Sequence, residues 1–386
     1  MTMLLHMPWC PIDQRYSVGD IVILPFHREE PTPGINAQTH QIAARALSIH
    51  KTIRGAPVQS AALVRFSDKD VLADVDEAAV NTASELVDLA CFSALAARHR
   101  HGPHNGYCNA HCFAFYVQRL SGDPNFVTLT SHRGHGELLS AQHINETVVS
   151  APLNVADIRE IALDAPLLSA LVAARTTVDA TRWNLWRNAV QCFNLANTDD
   201  ELTPYEVDWI LLCSAFQQLC GLRSPHLKPE SRCRSTAKTV ATMLTRRHAV
   251  SLAGARTRQR SDRAAYKWME EFCDVRNDPA HGTMATSKVR CWNSTNHLFL
   301  ARIAFPIAAR SRLSETGRYQ LTADDGAEMD CLDRFACDLQ GLDHPPPGRN
   351  DWQERVRERR RELGREEGIK YLKSLSEGES GGGGPD

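Results

Sequence analysis

Phe272-Cys273-Asp274-Val275-Arg276-Asn277-Asp278-Pro279-Ala280-His281-Gly282 is the stretch on which the fold expectation turns. Just upstream, Ala265, Trp268, Met269, Phe272 and Val275 recur at the spacing of a helix with one apolar face. That predicts a helix over 262–275. A residue before proline is biased away from helical geometry, so Asp278-Pro279 predicts that the helix ends near Arg276 and a new turn begins at Pro279. Arg276 and His281 then stand on either side of a break and can point into one cleft.

The same helical texture extends outward in both directions. Helices are expected over 157–174, broken by Pro166, over 177–197, over 235–248, and over 295–312 with Pro306 near its middle. Thr203-Pro204 with Glu206 three residues after the threonine predicts another helix start, with Thr203 as the cap. Five or six such helices with short or medium loops make an all-α bundle over 151–318. Residues 1–150 have a mixed texture instead. Residues 20–26 and 61–66 are expected strands, 76–98 a helix capped by Asp74 or Asp76, and 112–120 with 125–130 a hairpin around Ser121-Gly122-Asp123-Pro124. Beyond 318 the linker Asp343-His344-Pro345-Pro346-Pro347-Gly348 precedes a charge-rich helix over 351–374, and 377–386 has four successive glycines and is expected to be disordered. The fold class is therefore α+β in three parts: an N-terminal α/β domain (1–150), which could be a sensor or regulatory part, the helical domain (151–318) and an acidic helical tail (319–386).

Arg276 followed by Asn277, with His281 after four intervening residues, between two late helices of an all-α region, resembles the ribonuclease motif of the HEPN superfamily (higher eukaryote and prokaryote nucleotide-binding domains). The length, the C-terminal position of the bundle and the separate α/β region make the chain most similar to the Apea-like HEPN proteins of bacterial defence against phage. The resemblance covers about 178–315. It implies a metal-independent endoribonuclease with Arg276, Asn277 and His281 as catalytic residues, acting as a toxin or an abortive-infection effector. It also implies a homodimer, because HEPN nucleases pair two bundles so that two motifs face each other. The other reading of the same residues is a helix cap, with Arg276 on terminal carbonyls and His281 in a local turn. A further alternative is a HEPN-fold module that holds RNA or a partner protein without cleavage.

The side chains suit the chemistry. A histidine near its ordinary pKa of ~6.5 exchanges a proton at neutral pH. An arginine stays charged and offers planar donors to phosphate oxygens. Together they can position an RNA phosphodiester and stabilise the charge that builds as the 2′-oxygen attacks phosphorus. No metal or other cofactor is called for.

Charge supports a polyanion partner. The net charge is only −2, yet residues 223–318 hold 19 basic and 7 acidic residues, while the segments on both sides are acidic. Arg246, Arg247, Arg256, Arg258, Arg260 and Arg263 lie just upstream of the motif and could guide the RNA backbone, whether of tRNA or mRNA. A solvated basic face, or a match for the protein's own acidic parts, would account for the same charge.

Other classes fit poorly. No apolar run approaches the ~18 residues of a membrane span, and residues 1–9 lack a basic start and a long apolar stretch, so neither a membrane protein nor a signal peptide is expected. The twelve cysteines are scattered through apolar helical patterns and suit buried thiols in a cytoplasmic protein. His99, His101, His104, Cys108, His111 and Cys112 cluster within fourteen residues and could bind zinc, although their spacing matches no standard finger. That would make a zinc-dependent nucleic-acid binder. No phosphate-cradling glycine loop and no nucleophile–His–acid signature is found.

Overall fold

The computed structural model describes residues 2–97, 108–120, 126–133, 136–143, 147–152, 154–155, 160–222, 229–244, 264–280, 290–340 and 350–379. Its contacts divide the chain into two compact units, 1–223 and 224–386. The architecture is mixed: an antiparallel sheet with helices in the first unit, helices alone among the described residues of the second.

In the first unit the strands are β1 (Thr2–Met7), β2 (Tyr16–Val18), β3 (Ile21–His27), β4 (His50–Lys51), β5 (Ser60–Phe66), β6 (Leu72–Asp74), β7 (Tyr116–Leu120), β8 (Phe126–Arg133), β9 (Gly136–His143) and β10 (Val149–Ser150). The main sheet runs β2-β3-β5-β1-β7-β8-β9, with β6 also on β1, and β10 pairs separately with β4. The chain's opening apolar run is thus a central strand: Leu5 faces Val64 on β5 and Val117 on β7. Leu4, Leu5, His6 and Met7 are all buried, so both faces of the sheet centre are covered. That is why β1 reads as a continuous apolar run and not as an alternation. The expected hairpin is present as β7 with β8, Leu120 opposite Val127, although its first strand begins at Tyr116. Residues Ala110–Phe113 form a 3-10 turn instead, because Asn109 caps it through the His111 N–H. At the β2–β3 turn, Gly19 takes a φ of +59°, the left-handed region open to glycine.

Helices α1 (Ala37–Leu47) and α2 (Glu77–Ala97) belong to this unit, and Asp76 caps α2 through the Ala79 N–H at 2.7 Å. So do α3 (Ala165–Thr177), α4 (Ala180–Leu195) and α5 (Tyr205–Leu219), since α2 packs on α3 and α4, and α4 on α5. The division therefore falls at 223/224 and not near 150. Two local expectations change. Pro166 stands in the first turn of α3, behind the cap Asp164, and starts that helix where a break was expected. Thr203 does not cap α5: its hydroxyl donates to Asp200, and Pro204 occupies the cap position.

The second unit holds α6 (Pro229–Leu244), α7 (Ala264–Ala280), α8 (Ser294–Glu315), α9 (Ala323–Asp338) and α10 (Asn350–Glu379). Trp268, Phe272, Trp292, Phe305, Phe335 and Trp352 are nearly inaccessible and form its core. The expected separate tail is part of this core: the Phe335 ring lies 5.9 Å from Phe299 of α8 and 5.2 Å from Trp352 of α10. Arg310 on α8 is buried against Asp325 and Glu328 of α9. The linker 343–348 and the end of the glycine-rich tail, 380–386, lie outside the described residues. No described helix is long and apolar enough to cross a membrane.

Candidate functional site

Helix α7 carries the expected motif. Ala265, Trp268, Met269, Phe272 and Cys273 are buried and form its inner stripe. Arg276 follows Phe272 by one turn, and Asn277 follows Cys273. The helix does not end near Arg276; it continues through Asp278 and Pro279 to Ala280. The bias against helix before proline is modest beside the anchoring of four upstream turns. Pro279 lies one residue from the helix end, where it costs one backbone bond. His281 is the next residue along the chain and lies outside the described residues, as do Arg246, Arg247, Arg256, Arg258, Arg260 and Arg263. The structure thus places the backbone of Arg276 and Asn277 and leaves the rest of the expected site unplaced.

One feature beside the motif was not anticipated. Glu271 on α7 accepts three hydrogen bonds: from the Cys291 N–H at 3.0 Å, from the Trp292 N–H at 3.2 Å, and from His297 Nε2 at 3.0 Å. The last places a neutral imidazole N–H on a carboxylate. Burial pushes the Glu271 carboxyl up, but the His297 bond and the two backbone donors outweigh it and hold it below its ordinary range. Burial pushes His297 down, against the pull of the carboxylate. The His297 ring also lies 5.8 Å from Phe272 and 6.0 Å from Trp292, and Trp292 Nε1 donates to the Ala336 carbonyl at 2.8 Å.

Glu271 therefore ties the entry to α8 back onto α7. The chain that begins with His281 leaves α7 at Ala280 and is held again at Cys291, beside a point nine residues back along the same helix, about 14 Å away at 1.5 Å per residue. Nothing in the sequence spacing marks this pair. Glu271 looks like an ordinary outer-face acid, and His297 lies 26 residues further on.

Part of the basic segment is used internally. Arg310 is 1% exposed and held by two carboxylates, so it cannot meet a ligand. Arg312 pairs with Glu315, and Arg234 with Glu270 at 3.7 Å. Of the expected zinc cluster, His99, His101 and His104 lie outside the described residues. His111 Nδ1 bonds Asn154 Oδ1 at 3.0 Å, and the Cys108 and Cys112 thiols are buried around Asn109. Among the described residues no three His, Cys, Asp or Glu side chains are placed to hold a metal ion.

No family model, no curated protein and no solved structure matches this chain.

Proposed function

We propose that the protein is a metal-independent endoribonuclease of the HEPN type, acting as a toxin or an abortive-infection effector against phage. The observation that carries this reading is the Arg276-Asn277 pair near the end of a core-anchored helix, with the His281 segment held to that helix at both ends by Ala280 and the Glu271–Cys291 bond. Arg276 would hold the phosphate, and Asn277 would orient the phosphate or the imidazole. The 2′-oxygen attacks phosphorus and the bond to the 5′-oxygen breaks. The proton leaves the 2′-hydroxyl and one is delivered to the 5′-oxygen, giving a 2′,3′-cyclic phosphate and a 5′-hydroxyl. One motif supplies too few groups for both proton transfers. The active form would therefore be a two-fold dimer in which a second copy of the motif completes the cleft. The arginines over 246–263 would guide the RNA backbone.

Arg276→Ala and His281→Ala should each abolish growth inhibition in cells, with helical content retained by circular dichroism. Each removes a group acting at the transition state, where losses are commonly ~100-fold or more. Wild-type toxicity in either variant removes the assigned site.

A further inference from the structure

The first unit contains a cavity of about 810 Å³, within the usual range for small-molecule sites. One wall is a stripe of α2 (Asn81, Ser84, Asp88), each one turn from the next, and a stripe of α4 (Gln191, Asn194, Leu195) adjoins it, with Gln191 and Asn194 both bonded to Asp88. The chain from Ala110 to Tyr116 and the ring of Trp9 close the remaining sides. Phe115, Tyr116 and Trp9 present aromatic surface, and Leu202, 89% exposed, leaves an apolar rim.

The charge of this lining is one-sided. Among the described residues it includes Asp88, Asp200 and Glu201 and no lysine or arginine, and His111 is committed to Asn154. Asp200 is used by its own turn, accepting from the Leu202 N–H and the Thr203 hydroxyl. Asp88 is different. Its Oδ2 accepts from Gln191 Nε2 at 3.1 Å, and among the described residues no cation pairs with it. Burial raises the Asp88 carboxyl to about 6. A neighbouring acid, Glu85, contributes to that rise and is itself occupied by Arg175 and Trp183 Nε1. A carboxylate enclosed among apolar and amide groups without a counter-ion is costly, and a ligand that brings a positive charge relieves that cost. The described lining offers an anion, phosphates included, no cationic partner.

We propose that this cavity binds a small organic cation with N–H donors on a flat apolar body, an aryl amidinium or arylmethyl ammonium. The N–H groups donate to Asp88, and the aromatic walls take the charge-bearing ring by stacking and cation–π contact. The assignment does not depend on the ribonuclease reading.

The test uses the full-length protein and calorimetry with four probes: benzamidine, the anion benzoate, the N–H-free cation phenyltrimethylammonium, and adenosine monophosphate. Benzamidine should bind, phenyltrimethylammonium at least tenfold more weakly, and the two anions not measurably. Asp88→Asn should weaken benzamidine at least tenfold. Asn81→Lys, at an exposed position on the cavity edge, should weaken it too by placing a competing cation there; it decides the matter if Asp88→Asn does not fold. Absence of benzamidine binding to the wild type, equal binding of benzoate, or full affinity in folded Asp88→Asn or in Asn81→Lys overturns the proposal.

Discussion

At the scale of single residues, burial sets the chemistry more firmly than sequence position. His6 on the central strand is fully buried, with its Nε2 3.1 Å from Nε2 of His50, and the two rings pack with Tyr116. Burial pushes His6 from 6.5 down to about 4, and pushes His50 down further. Both are neutral in the fold and would charge on unfolding. A depressed folded pKa gives stability that is present above the unfolded value and lost as pH falls. Between pH 7 and 4, His6 alone should withdraw about 3 kcal/mol. Urea unfolding of the wild type should therefore weaken steeply over that window, and His6→Phe should flatten the slope; an unchanged slope would contradict the assignment. The expected motif is conspicuous in the sequence because an Arg-Asn pair, a proline and a histidine stand close together. Glu271 with His297 and Asp88 with Gln191 are not, because each pair is assembled by tertiary packing.

At the scale of elements, strong local signals located helices well and their ends less well. The α2 cap was legible to within two candidates, Asp74 and Asp76, because a short carboxylate before an apolar-periodic run meets the free backbone donors of the first turn, and Asp76 is the one that does. Thr203 was misleading because Asp200, three residues earlier, competes for its hydroxyl. β1 escaped because an apolar run buried on both faces shows no alternation, and α9 because its buried residues are interrupted by acids such as Glu328 that pair with buried Arg310. The Glu271 bonds join α7 to the start of α8, so their loss belongs to this scale. Glu271→Ala leaves two backbone donors and an imidazole N–H without their acceptor. It should destabilise the second unit by about 2 kcal/mol or more. The same change should lower RNA cleavage, since it releases one end of the segment that begins at His281. A denaturation midpoint equal to wild type would show that the tie contributes nothing.

At the scale of the whole molecule, charge and assembly are linked. Arg310, Arg312 and Arg234 are matched by carboxylates within the second unit, so that share of the basic excess is used internally. If two copies pair around the motif, their basic segments repel, and RNA phosphates relieve the repulsion on binding. Raising salt should then favour the free dimer while weakening RNA binding. Sedimentation at several salt concentrations, with cleavage measured alongside, checks both halves. A monomer that cleaves at full rate at every dilution rules out the composite cleft.

The central claim is that Arg276 and His281 cleave RNA without a metal. The most direct measurement incubates purified wild type, Arg276→Ala and His281→Ala with RNA in excess EDTA and identifies the product ends. The account predicts cleavage by wild type alone, ~100-fold above either variant, with 5′-hydroxyl and 2′,3′-cyclic phosphate ends. Cleavage that stops in EDTA and returns with one divalent metal, or that persists at the wild-type rate in both variants, would contradict it.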